Sequence, residues 1–317
     1  MSYWFARQHT IGREVWRTGI GLHCGARISL RLKPAPPDFG VRFRRVDLPR
    51  SSCVIAHYRH VIDTRLATSI GYGEAVISTI EHLMAALLGS GVDNALVEVD
   101  GPEVPIFDGS ALSYLELLRD AGLASQRAPR RCLKILRPLV VNDGEAYVKV
   151  SPSRRLRVHY RIDFPHPLVG KQEFSWSFNK SSFVRDIAKA RTFGFLSDAL
   201  KLQRMGLAQG GSLDNAVVFD EERLLNRDGF RYDDECVRHK ILDLLGDLAL
   251  VGFPLVGRIE AYKAGHALHT RFLNKLVNNH SEAYAILPTN LKVPPCFLPP
   301  CGAPAFSDGY SPVLKAL

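Results

Sequence analysis

From His82 the chain reads HLMAALLG, and from His239 it reads HKILDLLG, with histidine and glycine at matching offsets. Ser110, in GSALSYLELL, lies 28 residues beyond His82, and His266, in GHALHTRFLNKL, lies 27 beyond His239. The order of elements repeats too, with short β-like runs leading to a helix, a strand and a second helix in each half. A chain that carries one unit twice folds as two copies of it. We therefore expect an internal duplication of one α+β unit, the two halves facing each other across a cleft, where ligand sites tend to form.

In the first half, ARISLRLKP and GVRFRRVDL alternate as strands do, turn signals such as PAPPDFG separate them, and a helical pattern begins near Ser78. NALVEVDG then reads as a strand and SALSYLELLRDAG as a helix. The second half brings strands from about 133 to 176, an irregular middle, a helix at 234–251, the strand GRIEAYKAG and the helix HALHTRFLNKLV. Between them ASQRAPRRC, residues 124–132, is polar, basic and proline-containing, as a linker would be. At 317 residues the chain exceeds the ~250–300 residues at which single cores stop growing. The expected division is a first domain at 1–127, a second at 128–285 and a Pro-rich tail at 286–317. Cys296 and Cys301 in that tail are too few for a structural zinc site.

A hydrophobic content of 46% with 23% charged residues is that of a soluble globular protein, and no apolar run approaches the ~20 residues of a membrane helix. MSYWFARQHTIGREVW shows no secretory pattern, and the six cysteines are scattered. The expectation is a cytoplasmic protein with reduced thiols. A net charge of +9 favours anionic partners: nucleic acid, a membrane surface or a phosphorylated small molecule.

VRHKILDLLGDLAL is helical by its apolar spacing, yet His239, Asp243 and Asp247 stand at i, i+4 and i+8 on one face. Either that face is wet or its side chains hold a ligand. A His and a carboxylate four apart can reach one metal, although the pair alone more often marks an ion pair or a solvated face. In ISTIEHLMAAL, Ser78 and Glu81 have the spacing of a capping box, which accounts for Glu81 but not for His82. Two histidines and one aspartate from duplicated helices would leave the fourth position of a tetrahedral zinc open, as catalytic zinc requires. In GLHCG the glycines explain the spacing of His23 and Cys24, so this segment, with Leu22, reads as a turn in the site wall rather than a second metal site.

Seven segments carry a resemblance over nearly the whole chain to about residue 280: GIGLHCG, STIEHLMAAL, PIFDGSA, ARTFGF, GLAQGGSLDNAVV, VRHKILDLLGDL and AYKAGHALH. In this order they resemble the UDP-3-O-acyl-N-acetylglucosamine deacetylases, zinc amidases that commit a precursor to lipid A. The resemblance implies two similar α/β-sandwich domains, each a layer of helices on a sheet, with insertions that build the site in the cleft. It implies one catalytic Zn2+ held by His82, His239 and Asp243, with Glu81 as general base and His266 as general acid. Thr192 would steady the oxyanion and Asp247 would orient and charge His266. Acetate and the free glucosamine amine would be the products.

Lys240 and Lys263, beside these positions, match lysines that contact sugar or phosphate in similar enzymes, Lys240 being grouped with the catalytic residues, and Phe164 in DFPHP matches the position that stacks the uracil. An insertion near 193–220 matches the family's acyl-chain tunnel, to be lined by Phe193, Phe195, Leu196, Ala199, Ala208, Gly211 and Val218. Any one of these is equally readable as ordinary packing or surface. Ala67 replaces a cysteine found in some relatives, which bears on inhibition by excess zinc. The expected partner is an acylated UDP-sugar rather than nucleic acid, with a monomer close to the membrane surface. The competing reading is a basic α+β nucleic-acid-binding protein without catalysis, resting on RFRR and APRRC. Acyl length and oligomeric state are not legible at this level.

Overall fold

The computed structural model describes residues 6–49, 53–278 and 283–288. Ten strands make two five-stranded sheets. The first comprises β1 (Val15–Ile20), β2 (Arg27–Pro34), β3 (Val41–Arg45), β4 (Cys53–Ile55) and β5 (Ala95–Val99), in the order β1-β2-β5-β3-β4. The second comprises β6 (Leu139–Asp143), β7 (Ala146–Ser151), β8 (Arg157–Asp163), β9 (Lys171–Ser177) and β10 (Arg258–Tyr262), in the order β6-β7-β10-β8-β9. Each sheet is antiparallel except for one parallel pair, β3 with β5 and β8 with β10. The expected α+β duplication is thus present in topology.

Period-two patterning drives the sheets. In β2, Ile28, Leu30 and Leu32 point into the core while Arg27 and Arg31 face out. Each such side chain contributes about 1.5–3 kcal/mol on burial. The helices α1 (Glu81–Ser90), α2 (Leu112–Ala121), α3 (Lys180–Asp186), α4 (Leu196–Arg204), α5 (Glu235–Ala249) and α6 (His266–Asn278) accompany the sheets. α1 and α5 carry the repeated HLMAALLG and HKILDLLG and pack on each other between the halves. α1 buries every residue except Leu88, so it has no solvated face to spare. The polar residues that it and α5 carry are therefore enclosed.

Two boundaries differ from expectation. Residues 124–132 are not a linker: Leu123–Pro129 is a strand paired antiparallel with Arg7–Ile11, and Arg131–Ile135 pairs with Tyr284–Pro288 and Leu255–Val256. Ser125, Arg127 and Pro129 face outward, while Gln126 turns in, donating to the Ala35 carbonyl and accepting from Asn94. The polar composition therefore belongs to an edge rather than to an open connection. The division at 127 falls inside that strand, and the tail expected from 286 begins inside Tyr284–Pro288. Residues 289–317, with Cys296 and Cys301, lie outside the described residues.

Candidate active site

The loop before α1 decides where Glu81 goes. Thr79 takes a left-handed backbone, φ 56°, and its hydroxyl donates to Glu103. Ser78 is thereby carried away from the helix end; its amide donates to Pro102 and its hydroxyl accepts from Ser69. α1 starts after Ile80 with no side-chain cap, so the capping box that the spacing suggested does not form. Glu81 Oε2 accepts instead from the amide of Thr68 at 3.0 Å, and Oε1 lies 3.8 Å from His266 Nε2. Burial raises the Glu81 pKa, against the opposing pull of His266 and His82.

His82 on α1 and His239 on α5 stand edge to face, with ring centroids 4.9 Å apart. Both aim Nε2 at one oxygen of Asp243, at 3.5 and 3.3 Å. The Nδ1 of His239 lies 3.0 Å from the Ala190 carbonyl, a partner that keeps the proton on Nδ1 and leaves a lone pair on Nε2. All three are buried and their ligand atoms lie within 4.8 Å of one another. Two neutral imidazole donors and one carboxylate, closed off from water, fit a divalent transition metal better than Ca2+ or Mg2+. Burial alone would raise Asp243, but in the metal-free site His239, when protonated, and then Lys240 hold its carboxyl well below the usual carboxylate range. Lys240 Nζ donates to the other Asp243 oxygen at 2.8 Å and stands 5.9 Å from the Phe193 ring.

One turn further along α5, Asp247 gathers a second cluster. Its Oδ2 accepts from Nδ1 of His266 and from Nδ1 of His269, each at 2.7 Å, and its Oδ1 accepts from the Thr68 hydroxyl at 2.5 Å. Burial pushes Asp247 up, but His266 and His269 outweigh it and hold the carboxyl at about 2. Burial likewise pushes His266 down, yet Asp247 and then Glu81 raise it to about 9. For His269 burial prevails and the pKa falls. One carboxylate therefore holds a charged imidazole and a neutral one, and the charged ring turns its free Nε2–H toward Glu81.

Thr192 follows Ala190 by two residues. Its amide donates to Gly109 and its carbonyl accepts from Val217. The residue between, Arg191, is buried against Glu235 at the start of α5, which pins this segment beside His239. Gly109 has φ 78°, and a Cβ there would meet the Asn215 carbonyl at 1.9 Å, so only glycine fits under Thr192.

The residues expected to meet substrate fall into three groups. Phe164 packs on Phe193 and Phe195, with centroids at 5.4 and 5.9 Å, and Phe193 reaches to 6.4 Å from His239, so an aromatic wall leads away from the His82–His239–Asp243 cluster. Val218 lies in the strand Val217–Phe219 paired with Phe193–Phe195. Leu196 and Ala199 lie on α4, which buries none of its residues and exposes Leu200 and, just after it, Met205. Ala208 and Gly211 sit in a loop that docks on the first half: the Gly210 amide donates to Leu22, and a Cβ at Gly211 would lie 3.8 Å from the Leu22 side chain. Lys263 differs, because its ammonium lies 3.2 Å from both Glu145 and Asp163. Ala67 is buried beside Thr68.

Sequence reasoning missed Thr68 and His269. His269 left a signal, its i+3 spacing from His266 on α6. Thr68 left none, since it is 179 positions from the aspartate it bonds.

The model of the UDP-3-O-acyl N-acetylglycosamine deacetylase family matches residues 8–278. The UDP-3-O-acyl-N-acetylglucosamine deacetylase of Acidithiobacillus ferrooxidans is 48% identical over 273 residues, covering 86% of this chain and 90% of the relative. The enzyme of the same name from Myxococcus xanthus is 48% identical over 281 residues, covering 89% of each, and that of Teredinibacter turnerae is 46% identical over 273.

Proposed function

This chain belongs to the UDP-3-O-acyl N-acetylglycosamine deacetylase family and is an enzyme, and from that premise we propose that it hydrolyses the N-acetyl group of UDP-3-O-acyl-N-acetylglucosamine with one zinc ion, the committed step of lipid A biosynthesis. The observation that carries the reading is the convergence of three ligand atoms, from His82, His239 and Asp243, beside a carboxylate and an imidazole that face each other at 3.8 Å.

His82, His239 and Asp243 hold the ion, which when bound activates water and polarises the amide carbonyl. Glu81, kept from its helix end by the Thr68 amide, takes the proton of the attacking water. Its burial raises its basicity toward that task. The hydroxyl of Thr192, whose segment is pinned beside His239, and the ammonium of Lys240, which is bonded to Asp243, stabilise the developing oxyanion. A preorganised donor of this kind contributes roughly 3–4 kcal/mol in other enzymes. His266, charged by Asp247, donates from Nε2 to the departing amine.

Phe164 stacks on the base and Lys263 answers the diphosphate once released from Glu145 and Asp163. Phe193, Phe195, Leu196, Ala199, Ala208, Gly211, Val218 and Leu22 line the path of the acyl chain, at ~0.8 kcal/mol for each methylene buried. The proposed working unit is a monomer. Among the described residues no helix is long and apolar enough to cross a membrane. The test is acetate release from UDP-3-O-acyl-N-acetylglucosamine. Release is expected with the metal-loaded chain, abolished by a chelator and restored by zinc; a metal-replete chain that releases none overturns the reading.

A further inference from the structure

Thr68 is a loop residue of the first half, fully buried and in none of the roles above. Its two polar ends reach both sides of the proposed site. The amide donates to Glu81 Oε2 at 3.0 Å, which leaves Oε1 as the free edge facing His266. The hydroxyl donates to Asp247 Oδ1 at 2.5 Å and lies 3.2 Å from His266 Nδ1. A hydroxyl has one proton and two lone pairs. With the proton committed to the carboxylate, a lone pair is left toward the His266 N–H, which is then shared between Asp247 and Thr68.

Both oxygens of the carboxylate are engaged: Thr68 donates to one, and His266 and His269 donate to the other. Without the hydroxyl, the buried anionic Oδ1 would lose the donor that fixes it and could swing toward either histidine. The link also spans the halves, since Thr68 lies between β4 and β5 of the first sheet in the chain and Asp247 is on α5. A single residue thus registers the group that takes a proton against the pair that gives one.

We infer that Thr68 is a positioning residue that fixes the separation of Glu81 and His266, its amide holding the one and its hydroxyl holding the carboxylate behind the other. The inference rests on the deacetylase reading, and it predicts that the hydroxyl matters to turnover and not to substrate binding or metal retention. Thr68→Val removes the hydroxyl at nearly constant volume and leaves the amide; Thr68→Ser restores the hydroxyl.

With the metal-loaded full chain we expect kcat of Thr68→Val to fall roughly 10- to 100-fold, as for loss of a charge-assisted hydrogen bond in a catalytic network. KM and metal stoichiometry should match wild type, and Thr68→Ser should recover to within about threefold. If Thr68→Val melts below the assay temperature, Thr68→Ala takes its place under the same criteria. Wild-type kcat in the hydroxyl-free variant overturns the inference, and so does a serine variant as impaired as the valine one, because packing of the methyl would then be the cause. Neither result touches the deacetylase reading, which fails only if metal-loaded wild type releases no acetate.

Discussion

A Cβ added to Gly246 would lie 2.0 Å from the carbonyl oxygen of Glu81. α5 and α1 therefore meet backbone to backbone at this point, between Asp243 and Asp247 of one helix and Glu81 of the other. In an isolated helix, Gly246→Ala would gain about 1 kcal/mol from propensity. Here the added methyl meets main chain that cannot rotate aside, and overpacking costs about 1–3 kcal/mol or more. We expect a net loss of stability in urea unfolding, with turnover falling because Glu81 moves. At Gly89, the matching glycine of the repeat, the obstacle is the Phe183 ring, a side chain rather than backbone, so Gly89→Ala should cost less. An alanine at 246 that is as stable as wild type would show that the helices can separate without penalty.

Metal content should follow His82, His239 and Asp243, since each is proposed to supply one of three donors and their ligand atoms converge. Alanine at any of them is expected to reduce bound zinc well below one per chain, measured by mass spectrometry of the dialysed protein, with the fold retained. Asp243→Ala carries an added effect, because Lys240 becomes a partly buried cation that has lost the carboxylate it is hydrogen-bonded to. Undiminished zinc in His239→Ala would remove that residue from the ligand set.

Glu81→Gln separates a structural from a catalytic role more cleanly than the sequence suggested. The helix end is not capped by a Ser78–Glu81 pair, so little local stability rides on the carboxylate as a cap. Glutamine keeps a carbonyl oxygen to accept from the Thr68 amide but cannot take a proton. Melting should be near wild type and acetate release should fall by at least 100-fold, the lower range for losing a general base. Turnover close to wild type would end the general-base assignment.

What could be read from the sequence was the part of the site that lies on regular helices. His239, Asp243 and Asp247 declare themselves because a helix places i, i+4 and i+8 on one face whatever surrounds it. The duplication was legible for the same reason, as matched offsets. The loop before α1 was not: Ser78 and Glu81 have the right spacing, but the left-handed turn at Thr79 makes the spacing irrelevant. Thr68 was beyond reach, since its partners are set by how two halves pack. The strand Leu123–Pro129 was mistaken for a linker because its polar residues bond to Ala35 and Asn94 and to solvent instead of signalling an open chain.

Asp247 and His266 give the site a pH dependence with a definite sign. In the metal-free protein His266 is raised from 6.5 to about 9 and Asp247 is lowered from 3.8 to about 2. The favourable pairing needs imidazolium and carboxylate together. The histidine's contribution to folding is therefore complete below its unfolded pKa of 6.5 and is lost as pH rises through about 9. The aspartate's is complete above 3.8 and is lost as pH falls through about 2. The stability gap between wild type and Asp247→Asn should accordingly be widest near pH 4–6.5 and narrow above it, as followed by urea unfolding at each pH. For turnover the acid must carry its proton, so the basic limb of kcat/KM should move to lower pH in Asp247→Asn, where the amide no longer favours the charged ring. His269 remains beside position 247 in that variant, and being neutral it cannot supply the missing charge. The His266 ring can be followed directly by 15N NMR in the metal-free variant, where its midpoint should fall toward or below 6.5. A midpoint still near 9, or an active Asp247→Asn enzyme with an unmoved basic limb, would show that Asp247 does not set the charge of His266.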